Sequence, residues 1–209
     1  MRGCFLTIEG GEGAGKSTQA RLLAAALARR GLAVLRTREP GGAPGAERLR
    51  ALLLDPAAEW SSRAEIFLHF AARAEHIAQT IRPALEAGMW VVCDRFYDST
   101  LAYQGYGQGG DRGLISELSR LLDFTPDLTF VLDIDDSTAR QRLIARGLPA
   151  DRYERQDTLF HARVRAGFAD IAAAHPERCV ALSAAGDVQA VHAAMLAALA
   201  RLTPLPPPP

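Results

Sequence analysis

The chain has 209 residues, and its formal net charge at pH 7 is zero because 24 basic side chains balance 24 acidic ones. This length suits one domain, and a hydrophobic content of 48% excludes a disordered chain, a fibrous repeat and a small disulfide-stapled scaffold. The balanced charge argues against binding of nucleic acid through bulk charge, so we expect no nucleic-acid partner.

Short apolar runs alternate with helical patterns along the chain. The predicted strands cover residues 4–8, 32–35, 90–93, 128–132 and 179–182. The predicted helices cover residues 18–30, 46–54, 64–87, 113–122, 137–145, 157–174 and 188–202. Pro83 should kink or break the longest helix. Strands separated by helices predict an α/β fold, with a parallel sheet of about five strands and helices on both faces.

Three further segments are predicted to be irregular. Residues 38–45 form a loop rich in glycine and proline, and the arginine-rich stretch at about 146–156 suits a mobile lid because it would make a poor core. The proline tail 204–209 cannot continue a helix and is predicted to be disordered. The sequence therefore predicts one domain over residues 1–203.

The cysteines Cys4, Cys93 and Cys179 are odd in number and widely spaced, which fits neither a disulfide framework nor a metal site. They favour a reducing compartment, and we expect a cytoplasmic protein. Glu9 interrupts the N-terminal apolar run too early for a signal peptide. No stretch approaches the ~20 apolar residues of a transmembrane helix, so we expect no membrane segment.

A glycine-rich loop follows the first predicted strand. Gly10–Ser17 has the sequence G-G-E-G-A-G-K-S, which matches G-x-x-x-x-G-K-[ST] between a strand and a helix. Its backbone N–H groups and the helix N-terminus form an anion site, Lys16 can bridge phosphate oxygens, and the Ser17 hydroxyl can ligate Mg²⁺. The predicted residues for binding of a nucleoside triphosphate are Gly10, Gly11, Glu12, Gly13, Ala14, Gly15, Lys16, Ser17 and Thr18.

Two charged features support a site at this loop. Lys16 is the single lysine of the chain, which indicates a position that needs a compact ammonium group. Phosphates would repel the Glu12 carboxylate, so we expect it to point toward a substrate hydroxyl or a metal-bound water, unless it is merely solvated. Asp94 and Arg95 end a buried strand, where Asp94 could hold Mg²⁺ through water and Arg95 could clamp a phosphoryl group. A structural ion pair is the alternative for these two residues.

The longest predicted helix carries an aromatic ring near a guanidinium group. Phe70 and Arg73 are three residues apart and His69 and Arg73 are four apart, so both pairs share neighbouring surface. Such a pair could stack on a pyrimidine and hydrogen-bond its carbonyl. Phe70 also fits the apolar stripe of the helix, and His69 would by default be a structural residue.

Six sequence runs together resemble bacterial thymidylate kinases. Besides the glycine-rich loop, they are Thr37–Gly42 (T-R-E-P-G-G), Phe70–Arg73 (F-A-A-R), Asp94–Arg95 (D-R), Asp98–Gly105 (D-S-T-L-A-Y-Q-G) and Pro126–Leu128 (P-D-L). The resemblance implies a three-layer P-loop NTPase fold with a mobile lid. It also implies that ATP, with Mg²⁺, donates its γ-phosphate to dTMP, and that the enzyme is a homodimer formed through helices such as the one around Ile77.

The resemblance implies a set of site residues as well. It places the acceptor phosphate and its surroundings at Arg38, Glu39, Pro40, Arg50 and Arg95, and the nucleoside at Thr100, Tyr103 and Gln104. The family usually has an aromatic residue four positions before Arg73. That position is His69 here, with Phe70 next to it, so the residue that stacks on the base stays open.

The glycine-rich loop has no arginine between Gly10 and Lys16, as in the bacterial type of the family, and the resemblance implies that the lid supplies the catalytic cation. Arg152 best matches the R-x-E lid pattern of the family, and Arg146 and Arg155 are alternatives. A solvated charged loop would need no such function. Two other functions stay open: a different nucleotide or deoxynucleoside kinase on the same scaffold, and a P-loop protein that binds ATP or GTP as a switch.

Overall fold

The computed structural model describes residues 2–147 and 152–202. Its strands form one parallel sheet in the order β2-β3-β1-β4-β5. They are β1 (Phe5–Gly10), β2 (Val34–Arg38), β3 (Trp90–Asp94), β4 (Leu128–Asp133) and β5 (Cys179–Ser183). The predicted parallel five-stranded sheet is confirmed. The strand β2 begins two residues later than predicted and runs to Arg38, which is paired with Asp94 of β3.

The helices lie where the periodicity predicts them, and the segments at Tyr97–Thr100 and Leu101–Gly107 are helical in addition. They are α1 (Lys16–Ala28), α2 (Pro44–Leu54), α3 (Ser62–His76), α4 (Arg82–Glu86), α5 (Tyr97–Thr100), α6 (Arg112–Leu122), α7 (Asp136–Arg146), α8 (Thr158–Ala174) and α9 (Val188–Leu202), with π-helical segments at Ile77–Ile81 and Leu101–Gly107. Residues 148–151 of the predicted lid and the predicted tail 204–209 lie outside the described residues.

The longest predicted helix passes Pro83 without a break in the chain's helical path. A π-helical segment at Ile77–Ile81 joins α3 to α4, and the Arg82 N–H donates to the Ile77 carbonyl five residues earlier. Pro83 therefore lies in the first turn of α4, where its missing N–H is not needed. The kink or break predicted at Pro83 is therefore replaced by a change from α-helix to π-helix just before it.

The helical stretch from Tyr97 to Gly107 was not predicted, because its glycines hide the pattern. A Cβ on Gly107 would lie 2.6 Å from the Phe160 ring, so glycine allows this stretch to pack closely against α8. At its start, Asp98 accepts two hydrogen bonds from the buried Arg178, at 2.7 and 2.9 Å. This pair fixes the segment to the end of the sheet near β5.

Hydrophobic side chains cover both faces of the sheet. From β1, Leu6 and Ile8 pack toward α1 and α9, whereas Phe5 packs on the opposite face with Ile81 and Leu85. The three-layer arrangement is thus confirmed. Within the described residues, no helix is both long and apolar enough to cross a bilayer.

Candidate active site

One cleft of about 700 Å³ runs along the carboxyl edge of the sheet, where ligands of such folds bind. One end of the cleft lies at the side chains of His69, Arg73 and Gln104, and its middle is the glycine-rich loop. We call the first region the base pocket and the second, Gly10–Ser17, the cradle. The far end lies between Arg142 and Val188.

The cradle has the backbone that its glycines predict. Gly13 and Gly15 adopt φ values of 73° and 87°, and a Cβ on Gly13 would lie 2.6 Å from the Ala139 carbonyl oxygen. Lys16 is 6% exposed, and its Nζ donates to the Gly11 carbonyl at 2.6 Å. Burial, reinforced by the nearby Arg95 guanidinium, lowers the pKa of Lys16 to about 8.

Ser17 and Asp94 meet at the mouth of the cradle. The Ser17 hydroxyl donates to the Asp94 carboxylate at 2.5 Å. A hydroxyl and a carboxylate are the hard oxygen ligands that Mg²⁺ prefers. The described residues contain no cluster of three or more His, Cys, Asp or Glu side chains that could hold a metal. At nucleotide sites, one or two protein oxygens hold Mg²⁺ together with phosphate and water.

Arg95 connects the cradle with the part of the cleft that Tyr103 lines. Its backbone is left-handed, with φ of 70°, and its guanidinium donates to Glu12 at 2.5 Å and to the Tyr103 hydroxyl at 3.0 Å. Tyr103 in turn donates to Glu12 at 2.9 Å. Burial would raise the pKa of Glu12, but Arg95, Lys16 and Tyr103 outweigh it and lower the pKa to about 2. Glu12 therefore points toward Arg95, and its predicted contact with a substrate hydroxyl or a metal-bound water stays a prediction.

Glu9 is a buried member of the site that the sequence analysis did not single out. Its carboxylate accepts hydrogen bonds from the Phe96 N–H at 2.6 Å and from the Ser99 hydroxyl at 2.5 Å. These contacts fix the turn that carries Arg95. Burial, with the nearby Asp98 charge, raises the pKa of Glu9 to about 8.

The T-R-E-P-G-G segment and α2 border the cleft with one arginine each. Arg38 ends β2 and forms an ion pair with Glu47 of α2 at 2.8 Å. Arg50, also on α2, donates to the Pro40 carbonyl at 2.7 Å. The Glu39–Pro40 peptide bond is cis. The structure therefore brings all four predicted residues of this segment and α2 to the cleft.

Arg73 is the centre of a buried polar network in the base pocket. Its Nε donates to Glu39 at 2.7 Å, and its Nη2 donates to the Thr100 hydroxyl at 3.0 Å. Glu39 also accepts from His76 at 3.0 Å. The remaining nitrogen, Nη1, is buried and has no hydrogen-bond partner among the described residues. Arg73 is thus oriented by protein groups and keeps one donor for a ligand.

His69 and Phe70 occupy different environments. His69 lines the cleft, whereas Phe70 packs with Ile66 and Ile115 and contacts the Arg73 guanidinium, which lies 4.9 Å from its ring centre. Burial and the charge of Arg73 lower the pKa of His69 to about 3, so the ring is neutral.

Behind the base pocket lies Glu65, a buried carboxylate that the sequence analysis did not single out. It accepts from Gln104 at 2.8 Å, from Gln108 at 2.9 Å and from Tyr153 at 2.9 Å, and it pairs with Arg152 at 2.8 Å. The structure therefore places the predicted lid cation on Glu65, at the base end of the cleft. No motif pointed to Glu65, because its function depends on side chains distant in sequence.

Comparison with known proteins identifies relatives over nearly the whole chain. The family model described as thymidylate kinase matches residues 8–195. A thymidylate kinase of Gluconobacter oxydans is 55% identical over 202 residues, covering 95% of this chain and 94% of that protein. One from Rhizorhabdus wittichii is 51% identical and covers 98% of this chain and 100% of that protein.

A solved structure agrees with this result. The crystal structure of thymidylate kinase from Ehrlichia chaffeensis has a TM-score of 0.78 and 37% sequence identity to this chain. The match covers 95% of this chain and 100% of that one. Both sequence and fold are therefore similar to this group of enzymes from end to end.

Proposed function

The chain belongs to the thymidylate kinase family and phosphorylates dTMP, and on this premise we propose how its cleft performs the transfer from ATP. The observation that carries the proposal is the continuity of the cleft from the base pocket through the cradle. A phosphate donor and a phosphate acceptor can therefore lie end to end, which is what an in-line transfer requires.

The base pocket suits thymine. Arg73 offers a buried donor at Nη1, and Gln104 already uses its Nε2 to bond Glu65, which leaves its carbonyl oxygen as an acceptor. Thymine presents a carbonyl oxygen next to the N3–H donor and matches this pair of groups. Cytosine presents the opposite pattern, an amino group next to an acceptor nitrogen. His69 contacts the face of the base, and Tyr103 lies beside the sugar.

The acceptor phosphate is held by arginines along the opposite wall of the cleft. Arg38, Arg50 and Arg95 supply guanidinium groups that match phosphate oxygens in a bidentate way. Arg38 and Arg95 already pair with Glu47 and Glu12. Binding of dTMP would therefore exchange part of an internal ion pair for a phosphate contact.

ATP occupies the cradle, and its nucleoside extends to the far end of the cleft near Arg142. Lys16 and the backbone N–H groups bind the β- and γ-phosphates, which stabilises the charge that develops during transfer. Ser17 and Asp94 would hold Mg²⁺. When bound, the ion neutralises charge on the phosphate oxygens.

Arg152 serves as the lid cation in this proposal. Glu65 binds one end of its guanidinium, and the other nitrogen, Nη1, is buried with no hydrogen-bond partner among the described residues. Movement of the lid toward the cradle would give this nitrogen a phosphoryl oxygen as its partner, and this contact would strengthen as charge develops on that oxygen.

We also propose a homodimer in a reducing, cytoplasmic compartment. The three cysteines are unpaired, which suits such a compartment. Ile77 is buried within the chain itself, so a dimer contact through this helical stretch would use exposed positions such as Phe67. Light scattering of the purified protein tests the dimer, and a monomer at micromolar concentration contradicts it.

An ADP-release assay across dTMP, dUMP, dCMP and thymidine tests the reaction. The proposal expects dTMP to be the best acceptor, dUMP to follow, and dCMP to be poor. If thymidine were the best acceptor, the phosphate clamp assigned to Arg38, Arg50 and Arg95 would be wrong. If no acceptor stimulated ADP release above slow hydrolysis, a switch-type P-loop protein would replace the kinase.

A further inference from the structure

Glu65 differs from the other carboxylates of the site because four donors converge on it. It is 1% exposed, and it lies on α3, one helical turn before His69. One of its oxygens, Oε1, accepts from Gln104, Gln108 and Tyr153, and the other, Oε2, accepts from Arg152. All four contacts therefore use the oxygens of Glu65 as hydrogen-bond acceptors.

This property decides how the Gln104 amide is oriented. A primary amide can turn by 180° and exchange its donor for its acceptor, and only its hydrogen-bond partners determine which face points where. Since the oxygens of Glu65 accept from the other three donors, Glu65 binds the Gln104 NH₂ group, and the carbonyl oxygen is left on the side of the cleft. The Tyr153 hydroxyl lies 3.3 Å from the same NH₂ group and donates to Glu65.

The same carboxylate fixes the lid-side residues. Arg152 binds Oε2, and the Tyr153 hydroxyl binds Oε1. Because Tyr153 gives its proton to Glu65, the neutral His69 must donate from Nε2 across the 3.1 Å contact to the Tyr153 oxygen. Glu65 thus contacts Gln104 and Arg152 directly, and it is connected to His69 through the Tyr153 hydroxyl.

From these contacts we infer that Glu65 is a positioning residue that sets the choice of thymine over cytosine through Gln104 and holds Arg152 for phosphoryl transfer. The inference rests on the proposed function, since it assumes that Gln104 faces the base. It adds that base selectivity depends on a carboxylate that does not itself line the cleft.

Two substitutions separate the two parts of this inference. Glu65→Met keeps the length of the side chain and removes all acceptors, so Gln104 becomes free to turn. Glu65→Gln keeps one carbonyl oxygen, and three donors at Oε1 against one at Oε2 favour placing that oxygen toward Gln104. Its NH₂ group then faces the Arg152 guanidinium, donor against donor, and displaces it.

The readout for selectivity is the ratio of the Kd for dCMP to the Kd for dTMP, measured by calorimetry on the full chain. Glu65→Met is expected to lower this ratio about tenfold or more, because the orientation of the amide is no longer imposed. Glu65→Gln should keep the ratio within about threefold and lower kcat by the same factor as Arg152→Ala. Combining Glu65→Gln with Arg152→Ala should then cause little further loss of kcat.

Glu75→Gln and Glu75→Met are matched controls on the same helix, since Glu75 does not line the cleft, and they should change neither ratio nor kcat. The inference is overturned if Glu65→Met leaves the ratio of the two Kd values unchanged. It is also overturned if Glu65→Gln loses the preference for dTMP over dCMP. If Glu65→Met does not fold, Glu65→Ala provides the same test, and the outcome with Glu65→Gln still decides. A wild-type protein without preference for dTMP would instead contradict the proposed function.

Discussion

The cradle and the base pocket reach their charge balance in different ways. In the cradle, a continuous stretch of backbone surrounds one cation, and Lys16 contacts a carbonyl oxygen at 2.6 Å. In the base pocket and along the neighbouring wall of the cleft, four arginines pair with carboxylates: Arg38 with Glu47, Arg73 with Glu39, Arg95 with Glu12 and Arg152 with Glu65.

This contrast indicates what each region does before a ligand arrives. The cradle presents backbone N–H donors to an anion, so the free energy of binding there comes from the interaction of these donors with the charge of the ligand. The base pocket is organised in advance by internal pairs, because buried guanidinium groups without partners would be costly. A loss in the cradle should therefore reduce catalysis and leave stability almost unchanged, whereas a loss in the base pocket should affect both.

The strongest test of this contrast is Lys16→Ala. Removing the single cation of the cradle should lower kcat about a thousandfold, because positioned charge is the main catalytic term in phosphoryl transfer. The melting temperature should change little, since the direct contact of Lys16 is to the Gly11 carbonyl and Glu12 keeps its ion pair with Arg95. Steady-state kinetics and thermal unfolding measure both, with Arg21→Ala on the exposed face of α1 as the matched control. Near-normal turnover would contradict the assignment of the cradle.

The next test asks which region Arg152 serves. Replacing it with alanine should lower kcat about a hundredfold and dTMP affinity far less, because its contact strengthens as charge develops on the phosphoryl group. Arg155→Ala, a few positions along the same segment, should have a smaller effect. A drop in dTMP affinity with kcat preserved would assign Arg152 to the base pocket alone, and a larger effect at Arg155 would move the catalytic function there.

Arg73→Lys tests the base pocket without removing charge. A lysine cannot reach Glu39 and Thr100 together with a third partner, so the KM for dTMP should rise about tenfold to thirtyfold. Stability should fall as well, by about 1–2 kcal/mol, because Glu39 keeps only part of its buried pairing. Arg63→Lys at an exposed position of α3 is the control for urea unfolding and kinetics. A rise in the KM for dTMP without a fall in stability would contradict the proposal that the base pocket, unlike the cradle, also stabilises the fold.

The last test, Glu9→Gln, is read as a pH dependence of stability, and it should change turnover least. The folded protein raises the pKa of Glu9 from 4.5 to about 8, so between these values the native state keeps a proton that the unfolded chain has released. The Glu9 contribution to stability is therefore fully present below about pH 4.5 and is lost as the pH rises through about 8. Glutamine cannot titrate and avoids this loss.

Urea unfolding between pH 5 and 9 measures this pH-dependent contribution of Glu9 to stability. Relative to the variant, the wild type should lose a few kcal/mol of unfolding free energy, to order of magnitude, over this range. Glu86→Gln at an exposed position controls for the loss of one negative charge. Parallel pH profiles for wild type and Glu9→Gln would show that Glu9 is ionised throughout.

Sequence alone was sufficient where the signal is local. The cradle is one string of residues between a strand and a helix, and the alternation of apolar runs was enough to predict the sheet. The bounds of β2 were wrong by two residues at its start because Leu32 is apolar but lies before the pairing with β3. The helical stretch at Tyr97–Gly107 was missed because its glycines disfavour a helix by propensity, and only the tertiary structure shows that Gly107 is required by the packing against α8.

The base pocket could be predicted only through the resemblance to a family, and then only in part. Arg73, Thr100 and Gln104 lie in recognisable runs, but Glu65 and Glu9 are single carboxylates in helical or strand patterns. Their importance depends on burial and on donors far away in sequence, such as Tyr153, which is 88 positions from Glu65. No spacing in the chain encodes such contacts.

The solitary lysine has a practical consequence. Reagents that acylate amines attack the uncharged form, and the buried ammonium of Lys16 gives up its proton near pH 8. No other side chain of this protein offers an amine. Mass spectrometry of the acylated peptide would therefore report how often the loop is open to solvent. Added nucleotide should protect Lys16 from acylation, so the extent of acylation measures how much of the protein has nucleotide bound.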